Sequence, residues 1–185
     1  MKKIAALFRD SAAELKNLRS LTGLSLCLAL GVVLSLFTSI QVTTSLRISF
    51  GFLALAVTGM LYGPVCSSLA GIVIDLLVFV IHPTGPFFPG FTLTSMLTGT
   101  IFGLFLYKNQ ISLPRLILSK TLINLLLNLL LNSLWLTILY DQGFWAMIPG
   151  RIFKNVVFLP VEVLAMYLVL PLLVKVSASL HSSRA

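Results

Sequence analysis

Charge is scarce in this chain, and acid scarcest of all. Of 185 residues, 10% are charged and only five are acidic, against 13 lysines and arginines. With 58% hydrophobic residues and a mean hydropathy of +1.05, too few polar side chains remain to cover a water-soluble core. Short alternating segments are also missing; the apolar residues come in long continuous runs, which excludes a membrane β-barrel. Cysteine is limited to Cys27 and Cys66, in or beside apolar runs and without metal-ligand spacing. Neither a disulfide framework nor a zinc site is indicated, and both are expected to be small packing residues. The phosphate-binding Gly-rich loop ending in Lys-Ser/Thr, the His-Glu-x-x-His helix, the nucleophile elbow and the Cys-x-x-Cys pair are all absent. His82 and His181 stand apart from one another. Nothing argues for an enzyme, for ATP hydrolysis by this chain, or for a cofactor. A secretory signal is not expected either, because about twenty mostly polar residues precede the first apolar run.

What is present is a set of apolar segments, each near the ~20 residues needed to cross a bilayer. Six are expected: 21–42, 48–62, 65–81, 91–107, a fifth running upward from Lys120, and 152–174. The fold class is therefore an all-α integral membrane protein, a six-transmembrane-helix bundle forming one domain over 21–175. Residues 1–20 precede it as a basic segment, with Ile4, Leu7, Phe8, Ala12 and Leu15 at helical spacing. They read as an amphipathic helix on an anionic leaflet or as a solvated tail. Residues 176–185 form the tail.

A net charge of +8 would suggest nucleic acid in a soluble chain, but its distribution here marks topology. With the N-terminus inside, the cytoplasmic regions hold Lys2, Lys3, Arg9, Lys16, Arg19, Lys108, Arg115, Lys120, Lys175 and Arg184. The outer side holds only Arg47, Arg151 and Lys154. This is the positive-inside bias, with both termini cytoplasmic. The three exceptions sit at outer helix ends. They suit an anionic ligand, or they anchor helices at the headgroups or pair with Asp141.

Lys120, Asn124, Asn128 and Asn132 recur at every fourth position and make one polar stripe on a helix. Amides at that depth either hold helices together or offer paired donors and acceptors to a heteroaromatic ring. Asp75, the deepest acid, either accepts hydrogen bonds from an amino-substituted ring or bridges to Lys120. Glu162, two residues beyond the Pro160 break, satisfies freed backbone groups or faces a partner. His82 to Thr92 carries three prolines and two glycines among aromatics, which predicts an ordered re-entrant or capping loop rather than helix. In the first segment, Gly23, Cys27, Gly31 and Ser35 form one small-residue stripe and Ser25 and Ala29 a second. Either would let a helix of this chain or of a partner approach closely.

Several blocks together resemble the folate-specific S components of energy-coupling factor (ECF) vitamin transporters. They are Leu46-Arg47-Ile48-Ser49-Phe50-Gly51-Phe52, Gly59-Met60-Leu61-Tyr62-Gly63-Pro64, Leu131-Asn132-Ser133-Leu134-Trp135 and Arg151-Ile152-Phe153-Lys154-Asn155. The most specific block is Pro83-Thr84-Gly85-Pro86-Phe87-Phe88-Pro89-Gly90-Phe91-Thr92. The resemblance implies a multi-pass protein of the bacterial cell membrane that captures folate outside and works with a transmembrane coupling (T) subunit and two ATPase subunits. It implies ligand-binding roles for Arg47, Asp75, Phe88, Pro89, Gly90, Phe91, Thr92, Asn128, Asn132, Trp135, Arg151, Lys154 and Asn155. Of these, the cations suit the glutamate tail or loop closure; Asn128, Asn132, Trp135 and Phe88 suit the ring and its linker. It also implies contact of Ser25 and Ala29 with the coupling subunit, through a small-residue pattern in which Ser25 replaces an alanine. Two other readings stay open: an S component for another vitamin, or a purely structural membrane subunit.

Overall fold

The computed structural model describes residues 2–43, 46–83, 85–140 and 144–182, with side chains described within 4–39, 49–83, 85–139, 145 and 148–172. Helix α1 spans Lys2–Glu14 and α2 spans Leu18–Phe37, the latter capped by Asn17, whose side chain accepts from the Arg19 N–H at 3.1 Å. Strands β1 (Ile40–Thr43) and β2 (Leu46–Ile48) pair antiparallel, with Gln41 opposite Arg47. Then follow α3 (Phe52–Ile81), α4 (Pro89–Leu106), α5 (Leu113–Leu122), a π-helical stretch (Ile123–Leu131), α6 (Asn132–Tyr140) and α7 (Phe144–Ser182). Among the described residues, five helical stretches are long and apolar enough to cross a membrane.

Six were expected, and the difference lies in α3. Gly63 interrupts it at φ +86°, a left-handed conformation that only glycine adopts without strain, just before Pro64. Ser67 Oγ donates to the Leu55 carbonyl at 2.9 Å, although a continuous helix would hold those residues about 18 Å apart. The element is thus folded back on itself, with arms 52–62 and 64–81 that correspond to the second and third expected segments.

Two expected boundaries also move. Helix α2, the first expected membrane segment, ends at Phe37 instead of reaching Val42, because the β-branched Ile40, Val42 and Thr43 favour the extended pairing of β1 and β2. The expected loop stops at Phe88. Pro89 occupies the first turn of α4, where a missing N–H costs nothing, so Gly90, Phe91 and Thr92 are helical.

The helices nearest the reversal pack backbone to backbone. A Cβ on Gly59 would lie 2.7 Å from the Gly103 nitrogen; one on Gly71 would fall on the Ser95 carbonyl, and one on Gly99 on that of Ser67. The stripe of α2 faces the same pair of arms: Gly23 lies against Tyr62, Gly31 against Ala54 and Ile74, and Ser35 against Gly51. That face is therefore used inside the chain, and Ser25 and Ala29 are exposed. Phe102, Leu106, Leu116, Met166 and Leu170 are the fully buried centre, and Cys66 packs among them outside any disulfide.

Helix α1 docks beneath the Gly63 reversal through a polar residue. Ser11 is fully buried; its hydroxyl donates to the Tyr62 carbonyl at 2.7 Å and accepts from the N–H groups of Val65 at 3.0 Å and Cys66 at 3.3 Å. Ile4, Phe8 and Ala12 are left exposed on its surface. Asp10 meets Lys108 at 2.6 Å, and that hydrogen bond and charge hold the Asp10 carboxyl below its ordinary pKa. Removing the Ser11 hydroxyl strands three backbone groups, each left short of a partner in a buried turn, at a cost of about 1–3 kcal/mol. Ser11→Ala should lower the melting temperature of the detergent-purified chain by several degrees. Ser25→Ala, which loses only a bond to its own helix, should leave it unchanged; equal melting of the two variants would exclude the capping role.

Candidate functional site

A cavity of about 290 Å³ opens between the folded-back arms of α3, helix α4, the α5–α6 rod and α7. That volume is near the lower end of small-molecule sites, about 300–1,000 Å³. Two kinds of wall enclose it.

The α3–α4 wall carries Asp75. Its Oδ2 accepts from Thr92 Oγ1 at 2.7 Å and its Oδ1 lies 3.4 Å from Ser95 Oγ. Close packing at Gly71 and Gly99 brings Asp75 into reach of those hydroxyls. Phe91, Thr94, Ser95 and Thr98 continue this wall along α4.

The opposite wall is the polar stripe, but its backbone is not α-helical. From Ile123 to Leu131 it is π-helical, the wider turn that leaves backbone groups out of register with their usual partners. Helix α7 adds side-chain donors to two of its carbonyls: Arg151 Nη1 reaches the Asn128 carbonyl at 2.8 Å and Asn155 Nδ2 reaches that of Asn124 at 3.4 Å. Arg151 and Asn155 are one turn apart on α7, so a single face of that helix serves both.

The asparagine side chains form a directed series. Asn132 Nδ2 donates to Asn128 Oδ1 at 3.5 Å, Asn128 Nδ2 to Asn124 Oδ1 at 2.9 Å, and Asn124 Nδ2 to Glu162 Oε2 at 3.1 Å. Glu162 Oε1 in turn lies 3.3 Å from Lys120 Nζ, with side-chain exposures of 15% and 3%. Lys120 Nζ also sits 3.5 Å over the Phe52 ring, a cation–π contact. The expected alternative of a Lys120–Asp75 bridge is thus corrected: Lys120 points across to α7, where Glu162 meets it at depth, while Thr92 and Ser95 hydrogen-bond to Asp75. Lys120 does not snorkel away.

Of the thirteen ligand-binding residues expected from sequence, Asp75, Phe91, Asn128, Asn132 and Lys154 line the cavity. Thr92, Arg151 and Asn155 lie just behind it through the bonds above. Phe88, Pro89, Gly90 and Trp135 form an adjoining cluster: the rings of Phe88 and Trp135 lie 5.5 Å apart, Trp135 Nε1 donates to Thr94 Oγ1 at 3.1 Å, and a Cβ on Gly90 would strike Trp135. The side chain of Arg47 and residue Asp141 lie outside the described residues. Ser35, Ser49 and Glu162 line the cavity without having been anticipated as ligand-facing. For Glu162 the available signal was a carboxylate in a membrane segment, which requires a partner of opposite charge at its own depth.

The sequence profile described as ECF transporter, substrate-specific component, matches residues 19–170. The chain belongs to that family. Among relatives of this S component is a protein named folate transporter FolT from Clostridium novyi (strain NT), 33% identical over 153 residues, which are 83% of this chain and 88% of the relative. Another of the same name, from Leuconostoc mesenteroides subsp. mesenteroides, is 33% identical over 80% of this chain and 82% of its own. Among solved structures, one described as the crystal structure of FolT bound with folic acid matches with a TM-score of 0.77 at 35% identity. It covers 82% of this chain and 93% of that one.

The buried Lys120–Glu162 pair makes this S component sensitive to how the pair is changed. Glu162→Ala leaves Lys120 buried and without its carboxylate, at about 3–5 kcal/mol. Lys120→Met combined with Glu162→Gln removes both charges and keeps the volume, so its melting temperature in detergent should stay close to the parent's. Destabilisation of the double variant as large as that of Glu162→Ala would show that the cost does not come from the unpaired charge.

Proposed function

We propose that this chain is the folate-binding S component of an ECF importer, capturing folate from outside and delivering it inward with a separate T subunit and two ATPase subunits. The observation that carries this reading is one cavity whose lining includes the Asp75 carboxylate, the amides of Asn128 and Asn132 and the Lys154 cation, in a chain 35% identical to the folic-acid-bound FolT. A pterin ring needs hydrogen-bonding partners of the first two kinds, and a glutamate tail needs cations. Asp75, Asn128 and Asn132 are assigned to the ring. Lys154, with Arg47 and Arg151, is assigned to the tail; Arg151 and Asn155 also hold the wall. Phe88, Pro89, Gly90, Phe91, Thr92 and Trp135 are assigned to the aromatic rim and the linker.

The proposed topology counts the two arms of α3 separately, giving six membrane segments with both termini cytoplasmic. The clustering of α1, the Gly63 reversal and Lys108 at one end of the bundle supports it, as does the charge bias of the loops. Ser25 and Ala29, exposed on α2 while its other small stripe is occupied within the chain, are assigned to the coupling subunit.

Titrating the purified chain with folate, followed by quenching of Trp135 and by calorimetry, should give saturable binding. Lys154→Ala should weaken it about tenfold, the worth of one charge-assisted hydrogen bond. Absence of binding by a folded sample would refute the folate reading, and undiminished affinity in Lys154→Ala would refute the tail assignment. Ser25→Leu with Ala29→Leu should abolish folate uptake by cells expressing the full transporter while leaving folate affinity in detergent unchanged. Uptake at the parent rate would move the coupling surface elsewhere.

A further inference from the structure

The asparagine series has a direction, and the direction has an origin. A carboxylate has only acceptors, and Glu162 is held as one by Lys120. Asn124 must therefore turn its amide nitrogen toward Glu162, which leaves its oxygen to accept from Asn128; Asn128 in the same way accepts from Asn132. Each amide fixes the next, and the last one presents what is left over. That is Asn132 Oδ1, a buried oxygen with no hydrogen-bond partner, on a residue that lines the cavity. Burying an acceptor without a partner costs free energy unless something arrives to satisfy it.

We propose that Asn132 Oδ1 is the acceptor for an N–H group of the ligand, and that Glu162, three links away, is the positioning residue that fixes this polarity. The proposal rests on the folate reading for the identity of the ligand, whose heterocycle supplies such donors. It makes the Lys120–Glu162 pair a determinant of specificity as well as of stability. With the relay anchored by a carboxylate, the outer end favours ring donors and rejects ring acceptors. A neutral amide at position 162 can donate as well as accept, so the series loses its fixed sense and Asn132 can turn its NH2 toward the ligand.

Folate affinity of the full chain in detergent tests this through coupling. Asn132→Ala should weaken binding about tenfold, and Lys120→Met with Glu162→Gln should weaken it by up to as much, to the extent that the series reverses. The triple variant should also lose about tenfold, because both changes remove one and the same acceptor. Adding Asn132→Asp to the Lys120→Met, Glu162→Gln background should restore affinity: the reversed series ends by donating to one oxygen of the introduced carboxylate, and the other oxygen accepts from the ligand. In the otherwise unchanged chain, Asn132→Asp should bind poorly, since it confronts the oxygen of Asn128. If the neutral pair fails to fold, Asn128→Leu cuts the same series one link below, and its loss should again not add to that of Asn132→Ala. Losses that multiply to about a hundredfold, or parent affinity in Asn132→Ala, overturn the proposal. A parent chain that binds no folate overturns the folate reading itself, and the proposal with it.

Discussion

The backbones of α3 and α4 touch, and most of the molecule is placed by that contact. Lipid is as apolar as leucine, so helices in a membrane gain little by burying large aliphatic side chains and associate instead by close fit. Gly59, Gly71, Gly99 and Gly103 allow the two elements to meet without intervening side chains. The reversal at Gly63 belongs to the same contact, since Gly103 lies against Gly63 and Pro64. Once α3 is folded and α4 laid against it, α2 closes on the outer face of the arms through its own small residues. Asp75 then stands beside Thr92 and Ser95 as a consequence of helix packing.

The far side of the cavity is built on the opposite principle. There the rod from Leu113 to Tyr140 and α7 are joined by hydrogen bonds and one ion pair, each of which would be costly to leave unmade in hydrocarbon. Two carbonyls of the π-helical stretch accept from Arg151 and Asn155. One wall is therefore close-packed and the other polar. The cavity between them has a hydrogen-bonded carboxylate on the first wall and a series of amides, each bonded to the next, on the second.

Much of this was legible in the residues. Scarcity of charge determined that the chain is a membrane protein, because a bundle in lipid needs no polar coat. The four-residue spacing of Lys120, Asn124, Asn128 and Asn132 placed them on one face, and the Pro83 to Thr92 block pointed to the family before any geometry was known. The seam of α2 was legible only as two candidates, since small residues at one spacing fit either an internal or an external helix.

From the residues alone it follows which side chains are too polar to face lipid, and therefore that Asp75, Lys120, Asn128 and Glu162 must find polar partners, in the chain, a ligand or another subunit. The sequence could not determine the pairings. Lys120 chose Glu162 over Asp75 because α7 presents that carboxylate at its own depth, while the glycine contacts draw Asp75 toward α4. The turn of Gly63, the π-helical register and the direction of the asparagine series were likewise decided in three dimensions. Each is tied to a group distant in sequence: Ser11 beneath the reversal, Arg151 and Asn155 on the carbonyls of Asn128 and Asn124, and Glu162 at the foot of the series.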